Sequence, residues 1–210
     1  MQSITLKAPA KINLCLSVLG RRPDGYHDVE MLMQMVGLSD EVTVAAQGIA
    51  GVRISCDSDA IPPGEDNIAW KAGHALLKRA GQGAGITITI RKAIPVAAGL
   101  GGGSSDAAAV LVAANEVLGI GLNREELAGI GAKLGMDVPF FFYGPTALAQ
   151  GRGERLTELL PLPKMHGIIR SARFLNTGRK ADIIDTGQGL VLNIPEGTMD
   201  SIDTILELEI

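Results

Sequence analysis

An α+β fold is what the sequence predicts, and three observations point to it. Strand-like alternation, clearest in GITITIR at residues 85–91, stands beside helix-forming runs such as the alanine-rich stretch after Ser105. The two kinds of segment are mixed without the regular βα alternation of a doubly wound sheet. The chain has 210 residues, 46% of them hydrophobic and 20% charged, which suits a globular protein with one sizeable core or two small ones.

The elements follow in order. Residues 3–20 read as one or two strands. Ile12, Leu14, Leu16 and Val18 alternate there with Lys11, Asn13, Cys15 and Ser17, so Lys11 and Asn13 share a face and can point together into a site. RRPDGYH, residues 21–27, has the Pro and Asp-Gly chemistry of a loop. Residues 41–46 and 52–56 read as strands, and the turn at 62–66 leads into a helix over 67–79. The strand at 85–91 lines up Ile86, Ile88 and Ile90 on one side and delivers the chain to a glycine-rich loop. The next helix runs to about Leu118. A third, over 123–134, has Asn123 as N-cap and Glu126 in capping-box position. Met136-Asp137-Val138-Pro139, an apolar run and a strand at 147–150 come next. Further on, GLVLNI is strand-like, and MDSIDTILELEI reads as a short helix or strand.

PVAAGLGGGSSDAAAV, residues 95–110, carries the most chemistry. Gly99, Gly101, Gly102 and Gly103 run directly into Ser104, Ser105 and a helix. Glycines let a backbone wrap a ligand, and the helix N-terminus presents free N–H groups and a partial positive charge. That combination is an anion cradle, most often for phosphate. It is not a Walker A loop, because Ser104 stands where a lysine is required, and a dinucleotide fingerprint starting at Gly99 fails at the same position. Ser104 and Ser105 fit either helix capping or phosphate contact, and Asp106 fits either the helix N-terminus or the neighbourhood of a metal.

Composition excludes several classes. A net charge of −4 argues against a broad basic face for nucleic acid. The two cysteines, Cys15 and Cys56, form no disulfide framework and no metal-binding spacing, so a cytoplasmic setting is expected. The start of the chain does not read as a signal peptide, and the apolar run at 107–114 is too short to span a bilayer, so no membrane partner is expected. Nothing in the residues speaks to oligomeric state.

Three segments together resemble the GHMP kinases, a family of ATP-dependent small-molecule kinases. APAKINL (residues 8–14) is similar to the first family motif, GLGGGSSDAA (residues 99–108) to the second, and GMDVPFFF (residues 135–142) to the segment holding the catalytic aspartate. The resemblance implies a two-domain GHMP-kinase-like fold that uses ATP and Mg²⁺. It implies that Pro95, Val96, Ala97, Ala98, Gly99, Leu100, Gly101, Gly102, Gly103, Ser104 and Ser105 wrap the ATP phosphates, with Asn67 near the adenine. Lys11 and Asp137 are the catalytic pair by the same likeness, Asp137 steering the proton of the substrate hydroxyl. Judged without the family, Asp137 reads as a turn or capping residue, Asn67 as an N-cap and Lys11 as a solvated strand lysine. GRRPDGYHDVE (residues 20–30) resembles the subfamily that phosphorylates 4-diphosphocytidyl-2-C-methyl-D-erythritol in non-mevalonate isoprenoid synthesis. There the tyrosine stacks on the cytosine and the histidine reads its edge, so Tyr26 and His27, with Asn13, are the expected substrate-binding residues; ordinary loop packing is the alternative for Tyr26 and His27.

The likeness runs to about Pro163. A first domain over residues 1–163 is therefore expected, followed by a shortened or divergent segment over 164–210. The third family motif, with its Gly-Ser-Gly core, has no clear match, and Gly187-Gln188-Gly189 is the nearest approach. That departure leaves a second function open beside the kinase: a nucleotide-binding pseudokinase or inactive truncated product.

Overall fold

A computed structural model describes residues 2–162, 169–174, 177–186, 190–193 and 206–209. The chain divides into two compact units, one of Met1–Val96 with Leu100–Leu159 and the other of Ala97–Gly99 with Leu160–Ile210.

The first unit is built on a long antiparallel hairpin. Strand β1 (Ser3–Arg21) pairs with β2 (His27–Gln47) from Ser3 opposite Ala45 to Arg21 opposite His27. Register shifts between Pro9 and Lys11, Asn13 and Cys15, and Val18 and Gly20 bend the hairpin. β2 also pairs with β4 (Gly85–Arg91) along its C-terminal half and with β5 (Thr146–Gly151) along its N-terminal half. β3 (Gly51–Cys56) runs parallel to β4, and β6 (Arg155–Glu158) closes on β5, giving a six-stranded mixed sheet.

β2 is much longer than the strand expected at 41–46, and the reason is its composition. Met33 is buried and Met31 and Met35 are partly buried in one cluster, a true period-two pattern. It is written in unbranched methionines, which are weak strand formers, and is interrupted by Gly37. β6 was also missed, being only four residues of mixed polarity.

Three helices cover the sheet. α1 (Ile68–Ala80) begins at the N-cap Asn67, α2 (Gly102–Val117) follows the glycine loop, and α3 (Arg124–Gly131) opens with the capping box of Asn123 and Glu126. Ile86, Ile88 and Ile90 are buried as the alternation predicts, each contributing about 1.5–3 kcal/mol of apolar burial. α1 approaches β4 so closely that a Cβ at Gly73 would lie 2.9 Å from Ile86 Cδ1, which is why glycine stands mid-helix there. α2 is apolar on nearly all sides and packs on α1, β1 and β2. After α3, residues Val138–Phe142 form a 3₁₀ turn. It is pinned where Gly131 leaves room for Val138, since a Cβ on Gly131 would sit 2.7 Å from Val138 Cγ1.

The second unit contains a four-stranded antiparallel sheet in the order β10, β7, β8, β9, formed by Leu206–Glu209, Ser171–Phe174, Lys180–Asp185 and Leu190–Asn193. Its small core is Ala172, Phe174 and Ala181, backed by Ile183 and Leu192. GLVLNI thus supplies a strand at 190–193 and the last twelve residues supply one at 206–209. Gly187-Gln188-Gly189 lies outside the described residues.

Candidate active site

The glycine loop takes the conformations its composition allows. Gly99 (φ 72°) and Gly101 (φ 69°) are left-handed, and so is Ala97 (φ 60°), the one non-glycine among the described residues with positive φ. Gly101 is the N-cap of α2, which makes Ser104 and Ser105 the third and fourth residues of the helix rather than its caps. The Ser105 amide already donates to Gly101 O at 2.9 Å, while the amides of Gly102, Gly103 and Ser104 precede the first intrahelical bond. The Ser105 hydroxyl is buried and has no protein partner.

β1 brings Lys11 to this loop. The Lys11 amide donates to Leu100 O at 2.9 Å, and its ammonium donates to Asn13 Oδ1 at 3.3 Å, as expected for two residues on one strand face. The same ammonium lies 3.6 Å from Asp137 Oδ2. Lys11 is buried and the Asp137 side chain is about one third exposed, at 35%. Gly101 makes the approach possible, because a Cβ there would fall 2.9 Å from Lys11 Cγ.

Asp137 holds the N-cap position of the 3₁₀ turn, yet its side chain makes no capping hydrogen bond. Its carboxylate is left to the Lys11 ammonium and to whatever enters from solvent.

Sequence reasoning missed a second charged cluster beneath the loop. Lys92 at the end of β4 is held between Asp40 of β2 and Asp106 of α2, its ammonium bonded to Asp40 Oδ2 and, at 2.9 Å, to Asp106 Oδ2. Asp40 also accepts from the amides of Ala93 (2.6 Å) and Ile94 (2.8 Å), fixing the turn that launches the loop. Burial pushes the Asp106 carboxyl up to about 7 against the pull of Lys92, with Asp40 adding to the rise. Burial works to lower the Lys92 ammonium, but its bonds to the two aspartates outweigh it and leave the ammonium raised. Asp106 Oδ1 is buried without a partner. Asp106 therefore faces inward to Lys92 through Oδ2.

Asn67 caps α1, its Oδ1 accepting from Ala69 N at 2.8 Å and its Nδ2 donating to Pro62 O at 3.2 Å. It lines a cavity of about 280 Å³ with Ile54, Cys56, Ile61 and Pro62 among the other walls. Tyr26 ends the β1–β2 loop and is 55% exposed, and His27, also exposed, opens β2 opposite Arg21. The structure thus joins Lys11, Asn13, Gly101 and Asp137 in one cluster. Asn67 stands at the separate cavity, and Tyr26 and His27 stand on the hairpin loop. Trp70 stacks on His74 at 4.8 Å and donates to Val52 O, a packing role for both. No helix among the described residues is long and apolar enough to cross a membrane.

Residues 67–145, which run from the α1 cap through the glycine loop and past Asp137, match the GHMP kinases N terminal domain. The crystal structure of a 4-(cytidine 5'-diphospho)-2C-methyl-D-erythritol kinase superposes with a TM-score of 0.67 at 39% identity, covering 80% of this chain and 57% of that one. A homoserine kinase from Cytophaga hutchinsonii, at 22% identity and a TM-score of 0.58, shares the fold. The 4-diphosphocytidyl-2-C-methyl-D-erythritol kinase of Geobacter metallireducens is 55% identical over 169 residues, which is 80% of this chain and 60% of the relative. That of Citrifermentans bemidjiense is 48% identical over 196 residues, 93% of this chain and 68% of the relative, so its likeness continues well past Pro163. The chain belongs to the GHMP kinase family. It spans about three fifths of the length of the first of these relatives.

Proposed function

We propose that this protein transfers the γ-phosphoryl group of ATP to a hydroxyl of 4-diphosphocytidyl-2-C-methyl-D-erythritol, a step of the non-mevalonate isoprenoid pathway. The observation that carries the reading is the Lys11–Asp137 pair, 3.6 Å apart and tied to the glycine loop through the Lys11 amide and Leu100 O. Phosphoryl transfer needs a fixed nucleotide, a neutralised developing charge and an oriented hydroxyl with an acceptor for its proton. The uncommitted amides at the start of α2 and the loop from Pro95 to Ser105 receive the triphosphate, and the 280 Å³ cavity beside Asn67 receives the adenine. The half-open carboxylate of Asp137 accepts the hydroxyl proton. Lys11 holds that carboxylate in place and lends positive charge to the transferring group. Asn13 orients the Lys11 ammonium, and Tyr26 and His27 take the cytosine by stacking and by edge hydrogen bonds.

Mg²⁺ bound with the nucleotide would supply positive charge to the phosphoryl oxygens. The Ser104 and Ser105 hydroxyls would hold it, and the unpartnered Ser105 Oγ fits such a role. Catalysis is assigned to residues 1–163, with residues 164–210 as a second segment. The relatives from Geobacter and Citrifermentans bear the kinase name, which gives no support to the inactive alternative.

A coupled ADP-release assay tests the reading. ADP should form with the cytidine compound and not with homoserine or mevalonate. Asp137→Asn should lower turnover by about 10²–10⁴-fold while ATP binding persists. Near-normal kcat in that variant, or ADP release with another alcohol alone, refutes the proposal.

A further inference from the structure

Arg152 is accounted for by none of the family motifs, and its setting is unusual for an exposed arginine. It sits in the turn between β5 and β6, flanked by Gly151 (φ 74°) and Gly153 (φ 106°). Gly151 pairs with Val29 of β2, so the turn is registered on the strand that His27 opens. The guanidinium carbon lies over the Tyr26 ring, 5.2 Å from its centroid. Among the described residues no carboxylate is within 4.0 Å of that guanidinium.

The neighbouring acids are engaged elsewhere. Asp24 accepts from Arg22 Nε and from the Tyr26 amide, each at 3.2 Å, and Glu154 accepts the Arg152 main-chain amide at 2.6 Å. Arg124 makes a useful contrast. It also lies 5.2 Å over a ring, that of Tyr143, but it is ion-paired to Glu125 and Glu158 and serves as a structural tie. Arg152 has the ring and, from beyond ion-pair distance, the charges of Asp24 and Glu154. With Arg152 over the ring and Tyr26 55% exposed, the ring retains surface for a second planar group.

We infer that Arg152 is a positioning residue for the nucleotide substrate, stacked behind Tyr26 so that the ring stands ready for the pyrimidine of a cytidine diphosphate group. The inference rests on the proposed function, and it adds a residue and a mode of action to it. An arginine can do this where a lysine does so only in part, because the planar guanidinium stacks while an ammonium offers a point charge.

Calorimetric titration with cytidine 5'-diphosphate, alongside steady-state kinetics, tests the inference. Arg152→Ala should weaken cytidine diphosphate binding about 2–5-fold, the range of an exposed cation–ring contact. KM for the cytidine substrate should rise by the same factor, with kcat and KM for ATP unchanged. Arg152→Lys should fall between wild type and alanine. In a Tyr26→Ala background, Arg152→Ala should cause no further loss. Unchanged binding in Arg152→Ala, or losses that simply add in the double variant, overturn the inference and leave the kinase reading intact. Wild-type protein with no affinity for cytidine diphosphate overturns both.

Discussion

Replacing Asp106 by asparagine should change how stability depends on pH, and the buried cluster sets the size of the effect. The Asp106 carboxyl is raised from 3.8 to about 7 by burial, against the pull of Lys92. Below about pH 4 it is protonated in folded and unfolded chains alike and adds no pH dependence. Above that the unfolded chain releases the proton while the folded chain holds it, so stability falls as pH rises until about pH 7. A rise of roughly three units corresponds to about 4 kcal/mol in all, of which roughly 2–3 kcal/mol falls between about pH 5 and pH 8. Asparagine keeps the shape and cannot titrate, and Lys92 retains Asp40 as its partner. Urea unfolding of both proteins at several pH values isolates the term, because the other ionisable groups are shared. Wild type should lose stability relative to Asp106→Asn as pH rises through this window. Parallel curves, or a wild type that gains on the variant, would show that Lys92 dominates and that the burial argument is wrong.

Other perturbations follow from the same geometry. Gly101→Ala combines a left-handed φ of 69° with a Cβ 2.9 Å from Lys11 Cγ. It should cost about 1–2 kcal/mol in thermal unfolding and roughly 10²-fold in kcat, since displacing a catalytic group by about 1 Å has that scale. Asn67→Ala removes the α1 cap and should cost about 1 kcal/mol in urea unfolding, whereas Asn67→Asp keeps the accepting oxygen and should recover most of that loss. If Asn67 also touches the nucleotide, both variants raise KM for ATP, and an unchanged KM confines the residue to capping.

The parts of the fold that could be read ahead of the structure were those written in local patterns. GITITIR alternates cleanly, and Asn123 and Glu126 stand at capping-box spacing, so β4 and the start of α3 were legible within a few residues. Lys11 and Asn13 are two apart on a strand and were placed together by that spacing alone. Asp137 was different. Its residues suggested a cap, and only the likeness of GMDVPFFF to a family segment gave it another role; the structure places the residue at a cap position with no capping bond from its side chain, which faces Lys11. Asp40 and Lys92 carried no local signal. They are 52 residues apart and meet only because the end of β4 pairs within β2, beside α2. The contact between Tyr26 and Arg152 escaped for the same reason, being made only when β5 pairs with β2.

The link between Lys11 and Leu100 is made of main-chain atoms. Exchanging either side chain leaves donor and acceptor in place, and only a proline at position 11 would delete the donor. The spacing between the strand and the glycine loop is thus shielded from most single side-chain exchanges, so the surrounding chemistry can vary without loss of alignment.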